Sequence, residues 1–234
     1  MLGEAVAGSV GGAAALMAYA VRGPSSSLLG PSVYRGVATR RSIALTFDDG
    51  PSEGTPEILD ILREHDIPGT FFQCGANVRR LPAIAQSVAG SGHEIGNHSD
   101  THPKLCFRSP WDIEREFSLA QRTIQDTLGQ SPSLMRAPFG VRWFGFRQAQ
   151  RHLNLLGVMW TVIAKDWKLE APEIAARLIG GARSGGIVCL HDGRELAIRP
   201  DTHQTADALR IAIPALLEQG FRFENVSQIL CPKN

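Results

Sequence analysis

The sequence predicts an α/β fold: a barrel-like arrangement of about seven βα units, smaller than the eight-fold kind. Three observations carry this. From Arg41 onward, short apolar runs alternate with amphipathic stretches and turns marked by Gly or Pro. The strand-like runs are apolar nearly throughout, as in parallel strands covered by outer helices. Polar and titratable residues recur just after these runs, where barrels of this type collect their chemistry.

The first strand is Ser42 to Phe47, which runs into Asp48-Asp49-Gly50-Pro51. Thr55-Pro56-Glu57 starts a helix, with Thr55 as N-cap, Pro56 at the first helical position, and Ile58, Ile61 and Leu62 at helical spacing. Thr70 to Phe72 is a second strand, and Leu81 to Val88 a helix closed by Gly90 and Gly92. His93 to Gly96 makes a short third strand, followed by a helix over 110–128. A fourth strand at Ser133 to Arg136 leads to a helix over 143–156 and a strand from Val158 to Ile163. Pro172 opens a helix over 172–180 that stops at Gly180-Gly181. Ile187 to Leu190 is the next strand, and a helix over 205–219 and a strand near Phe221 to Val226 complete the set. The organisation expected is a single catalytic domain over 41–234, preceded by an apolar segment and linker over 1–40.

Composition narrows the function classes. Lys and Arg number 24 against 23 Asp and Glu, and the paired basic residues Arg40-Arg41 and Arg79-Arg80 read as solvated surface, so nucleic acid is not an expected partner. Cys74, Cys106, Cys189 and Cys231 lack the close spacing of a zinc ribbon or redox motif. Cys189, inside an apolar run, reads as a buried structural thiol. Residues 5–21 are uncharged and mostly small, at the lower limit for spanning a bilayer, and Glu4 rather than a basic region precedes them. Two readings stay open: a membrane anchor or uncleaved signal, and a loosely ordered cytoplasmic or peripheral extension. Gly23-Pro24-Ser25-Ser26-Ser27 then reads as a linker.

Adjacent carboxylates at a strand end raise each other's pKa, so Asp48 and Asp49 require a compensating cation to remain ionised. His98-Ser99-Asp100-Thr101-His102 has the spacing that sets two imidazoles on one face of a helical turn. Two histidines and one carboxylate make a metal set that leaves positions open for water and substrate. Gly50-Pro51 ends the strand, so one aspartate can bind metal while its neighbour stays free as a base. Arg136-Ala137-Pro138-Phe139-Gly140 offers a guanidinium and a stiff loop able to present a backbone N–H to an oxyanion. Asp166 and His191, each after a strand, can pair so that the carboxylate orients the imidazole and raises its pKa. His65, His93, His152 and His203 show no such pairing and read as structural.

In this order, TFDDGP, HSDTH, RAPFG, the Asp166-Trp167 pair and Leu190-His191-Asp192 resemble the five motifs of the polysaccharide deacetylase family, carbohydrate esterase family 4, over about residues 40–230. The resemblance implies a distorted (β/α)7-type barrel and hydrolysis of N-acetyl groups on amino-sugar polymers such as peptidoglycan or chitin-like oligosaccharides. It implies a divalent metal, usually Zn2+ with Co2+ or another ion as the alternative, held by Asp49, His98 and His102. Asp48 would be the general base that activates the water, tethered by Arg136. The Phe139 N–H would help hold the oxyanion, His191 tuned by Asp166 would protonate the leaving amine, and Trp167 and Leu190 would wall the acetyl pocket. Two positions depart from the family: Phe139 stands where Tyr is common, and Ile163 where a further Asp is frequent, which implies a thinner network around Asp166.

Two rival readings are weighed against this. A hydrolase of another non-peptide C–N bond on the same fold would show an enclosed pocket shaped by loops 103–112 and 193–204. A non-catalytic glycan-binding protein would have no need of the metal and acid–base set. An envelope glycan implies an extracytoplasmic location, with membrane association through residues 5–21, whereas Arg22, Arg35, Arg40 and Arg41 point inward under the positive-inside rule.

Overall fold

In the computed structural model, which describes residues 2–231, the elements alternate as the apolar pattern requires. They are α1 (Leu2–Arg22), β1 (Ser32–Val33), β2 (Ser42–Asp48), α2 (Thr55–Glu64), β3 (Thr70–Gln73), α3 (Gly75–Arg80), α4 (Pro82–Gly90), β4 (Glu94–Asn97) and α5 (Pro110–Leu128). There follow β5 (Leu134–Met135), a 3-10 turn (Pro138–Gly140), α6 (Phe146–Leu153), β6 (Leu156–Val158), β7 (Val162–Ile163), α7 (Ala171–Gly181), β8 (Gly186–His191), α8 (His203–Glu218), β9 (Arg222–Phe223) and α9 (Val226–Leu230).

The strands form one parallel sheet ordered β1-β6-β5-β4-β3-β2-β8-β7, with β9 against the start of β2. It curls until the segment after β1 meets the start of β8, where the Gly36 N–H donates to the Gly185 carbonyl at 2.7 Å and Arg35 bridges Gly186. This is the distorted (β/α)7-type barrel, closed on one side by a short bridge rather than a strand pair.

Strand alternation divides the core. Ile43, Leu45 and Phe47 of β2 and Val188 and Leu190 of β8 cluster with helix residues Ile58, Leu62, Ile174, Leu178, Leu209 and Ile213. Ala44 and Ile187, on the opposite face, cluster with Phe72, Leu134 and Val158 inside the barrel. Burial of each large apolar side chain contributes about 1.5–3 kcal/mol. Phe47 and Phe71 stack with ring centroids 4.7 Å apart, which locks β2 against β3 below the rim.

Several expected boundaries move. Thr55 is the first helical residue rather than the N-cap, because its hydroxyl donates to Asp192 Oδ2 at 2.6 Å and accepts the Ser52 N–H. The helix expected over 143–156 is trimmed to α6, held off by Gly145 at φ 99° and ended by Asn154 at φ 52°. The strand expected from Val158 to Ile163 is split into β6 and β7, with Trp160 between them packed onto Gly140, where a Cβ would fall 2.4 Å from its ring. The last strand stops at Phe223, because Asn225 accepts the Gln228 N–H in a capping box and starts α9.

The Gly23–Ser27 stretch is docked rather than loose: the buried Arg142 guanidinium donates to the carbonyls of Gly23 and Ser26. Ser32–Val33 then joins the sheet beside β6. Among the described residues no helix is long and apolar enough to cross a membrane.

Candidate active site

Five strand ends bring titratable residues to one rim. Asp48 closes β2 in register with His191 of β8; His98 follows β4, Arg136 follows β5, and Asp166 lies just past β7. Non-glycine residues with positive φ cluster here: Asp49 (72°), Ser99 (67°), His102 (52°), Phe139 (57°), Lys165 (58°) and Glu195 (49°). Such conformations are costly and persist where the surroundings fix them. Gly50 is required for a different reason, since a Cβ there would lie 2.1 Å from Asp192 Oδ2.

The two metal-type histidines converge, but not on a helical turn. Residues 98–102 form a loop shaped by the left-handed Ser99 and His102, with the Ser99 N–H on Asn97 Oδ1 and the His102 N–H on Ser99 Oγ. The ring centroids end 5.0 Å apart. His98 Nδ1 is 2.9 Å from the Arg136 carbonyl. A carbonyl can only accept, so Nδ1 carries the hydrogen and Nε2 presents its lone pair.

That Nε2 lies 3.3 Å from Asp49 Oδ1, and His102 Nε2 lies 3.0 Å from the same oxygen. Asp49 Oδ1 is buried and receives no hydrogen bond, while Oδ2 accepts the Glu195 N–H at 2.8 Å. Burial alone would raise the Asp49 pKa; the His102 and His98 rings, where they donate an Nε2 hydrogen to Asp49 in place of holding a cation, outweigh it and hold the carboxyl well below the ordinary range. Three buried ligand-type atoms facing one another fit a divalent cation, and a two-His, one-carboxylate set suits zinc.

Asp48 has a different partner. Its Oδ1 accepts from Arg136 Nη1 at 2.6 Å, and its Oδ2 faces Cys189 Sγ at 3.5 Å and His98 Nε2 at 3.9 Å. Arg136 is wholly buried, donates also to the Thr46 hydroxyl and the Val158 carbonyl, and lies 4.1 Å over the Phe72 ring. Burial, with Asp48 adding to it, pushes the Cys189 thiol well up, so it sits beside Asp48 as a neutral donor.

His191 Nδ1 is 2.8 Å from Asp166 Oδ1, and the His191 N–H and the Thr205 hydroxyl both donate to Asp166 Oδ2, at 2.7 and 2.9 Å. Burial would lower the His191 pKa, but the Asp166 charge and hydrogen bond, helped by Asp49 and Asp48, raise it to about 9. Burial likewise opposes ionisation of Asp166, and the His191 charge overrides it and keeps that carboxyl low. The network at Asp166 is fuller than the absence of an acid at Ile163 implies, because Thr205 supplies a donor. Behind the rim, burial foremost pushes Asp192 up to about 7, against the bond from Thr55.

These groups open into a cleft of ≈ 950 Å³ lined by Asp49, His98, His102, Phe139, Trp167 and His191 among others. Phe139 sets its ring edge to His102 at 4.6 Å, and Trp167 is edge-on to His191 at 5.1 Å. Leu190 is not part of the wall. It is fully buried on the helix-facing side of β8, and Cys189, on the His191 side, lines the cleft in its place together with Ile163. Trp160 and Arg22 also line the cleft, positions that no motif in the sequence marks. His152 and His203 do have acid partners, Glu114 and Asp201, but these are exposed surface pairs.

The profile of the polysaccharide deacetylase family matches residues 35–158. A chitooligosaccharide deacetylase of Bradyrhizobium is 35% identical over 205 residues, covering 84% of this chain and 94% of that protein. The crystal structure of the Bc1960 peptidoglycan N-acetylglucosamine deacetylase superposes with a TM-score of 0.80 at 30% identity, over 85% of this chain and 92% of that one. BA3943, a CE4 family pseudoenzyme from Bacillus anthracis, is similar to much the same degree, with a TM-score of 0.79 at 29% identity over 87% of this chain and 70% of that one. A fold common to enzymes and a pseudoenzyme leaves activity to be argued from the residues at the rim.

Proposed function

Because the chain belongs to the polysaccharide deacetylase family, we propose that it hydrolyses N-acetyl groups on an amino-sugar polymer, peptidoglycan or a chitin-like oligosaccharide, with the help of a divalent metal. The observation that carries this is the convergence in one cleft of Asp49 Oδ1 with the His98 and His102 Nε2 atoms, beside Asp48 and His191. An amide needs an activated nucleophile, a charge to meet the oxyanion and an acid for a poor leaving group.

A zinc-type ion on Asp49, His98 and His102 would supply the Lewis-acid polarisation of water and carbonyl. Asp48 takes the proton of the attacking water at Oδ2, the oxygen that Arg136 leaves free. Arg136 pairs with Asp48 at Oδ1 and fixes its orientation. The Phe139 backbone, on its Pro-stiffened turn, is the candidate donor to the oxyanion. His191 gives its Nε2 proton to the departing amine, and Asp166 holds Nδ1 and stabilises the imidazolium. Trp167, Ile163 and Cys189 wall the space beside them. A cleft rimmed by half-exposed Phe139 (41%) and Trp167 (50%) favours a polymer over a small enclosed amide.

The test is acetate release from peptidoglycan, chitin oligomers and small amides after chelation, with Zn2+ or Co2+ added back. Metal-dependent release from the glycans is expected; release confined to the small amides would favour the rival hydrolase, and none from any substrate would favour a binding protein.

A pH profile tests the acid. His191 must be protonated to act, and its raised pKa keeps it so until pH rises through about 9. Asp166→Asn removes the charge that raises it, so the alkaline limb of kcat/KM is expected to move to lower pH, with the larger rate loss at alkaline pH. An unmoved limb would remove His191 from that role.

A further inference from the structure

We infer that Arg22, at the C-terminal end of α1, binds substrate and selects amino-sugar chains that carry a carboxylate on the sugar next to the reacting acetamide. This rests on the deacetylase reading and names the substrate within it. Arg22 lines the same cleft as Asp49, His98, His102 and His191 although it is far from them in the sequence.

Its backbone is fixed there. Ala20 and Val21 are buried, and the Arg142 N–H donates to the Val21 carbonyl at 3.1 Å. The Arg142 guanidinium, itself 1% exposed, grips the Gly23 and Ser26 carbonyls just past the helix end. Arg147 adds bonds to the Ser27 and Leu28 carbonyls at 3.1 and 3.2 Å. The chain on either side of Arg22 is thus tied to the segment that follows the Pro138–Gly140 turn.

The side chain is differently placed. Among the described residues it makes no hydrogen bond or ion pair, whereas the other arginine of the cleft, Arg194, donates to the Gly193 and Asp166 carbonyls. The cleft therefore holds one permanently charged guanidinium with its donors unspent, and a guanidinium fork matches a carboxylate in paired hydrogen bonds. Phe139, Trp160 and Trp167 can stack on any sugar ring and give no charge discrimination. Glu195, exposed on the same cleft, disfavours a carboxylate beside itself. A chitin-type chain offers hydroxyls and acetamides; a chain whose alternate sugar bears an O-lactyl group offers the carboxylate.

The experiment compares kcat/KM of the full chain on chitotetraose and on a tetrasaccharide alternating N-acetylglucosamine with N-acetylmuramic acid, its lactyl carboxylates free. The ratio of carboxylated to neutral substrate is expected to fall about fivefold in Arg22→Gln and further in Arg22→Glu, mainly through KM, with the difference shrinking at high salt. An unchanged ratio in both variants overturns the inference while leaving the deacetylase reading intact. A wild-type protein inactive on both substrates overturns that reading, and this inference with it.

Discussion

Asp48→Asn is expected to lower kcat about a thousandfold while the protein keeps its metal. Positioned acid–base groups contribute on the order of 10²–10⁴-fold, and the amide that replaces the carboxylate cannot take a proton from water. Its oxygen can still accept from Arg136 Nη1, now 2.6 Å from Asp48 Oδ1, so the geometry of the rim persists. Arg136 loses its counter-charge inside the barrel, which destabilises the fold by roughly 3–5 kcal/mol for a buried pair broken on one side. Its bonds to Thr46 and Val158 remain, so rates belong at temperatures well below the variant's own melting midpoint, measured beside bound metal. Loss of metal with turnover per bound ion intact would exchange the roles of Asp48 and Asp49.

The division between what the sequence discloses and what it hides follows local against non-local physics. The rim residues were legible because parallel strands are apolar throughout, so a charged residue at the end of one stands out, and parallel pairing sends all such ends to one side. The helix expected over 110–128 matches α5 for the same local reason: Ser109 accepts the Asp112 N–H at its start, and Gly129 is left-handed at φ 70° at its end.

The motif string points to Leu190 because it carries no facing; the period of two does, and counting back from His191 selects Cys189. Residues 98–102 have helical spacing yet form a loop, because spacing alone does not disclose that Ser99 and His102 take positive φ. The Asn225-to-Gln228 capping box that starts α9 is a local signal the sequence carries. Trp160 and Arg22 were invisible in principle, since their place in the cleft depends on Gly140 and on the Arg142 clasp, contacts that no local pattern encodes.

Metal and turnover should disappear together in His98→Ala. His98 is 1% exposed, its Nδ1 hydrogen is fixed on the Arg136 carbonyl, and its Nε2 is one of three donor atoms closing on a single point. Loss of an outer-shell partner alone costs about 10–100-fold in metal affinity, so loss of a ligand is expected to exceed 100-fold and to leave the purified protein essentially without metal. Isothermal titration with Zn2+ and acetate release at saturating metal separate the two losses. Activity recovered at high Zn2+ means that His98 acts through affinity; activity absent even when metal is bound means that it also orients the ion against Asp48. Full turnover at ordinary metal concentration would remove His98 from the metal set, and with it the account of why Asp49 Oδ1 lies buried without a hydrogen bond.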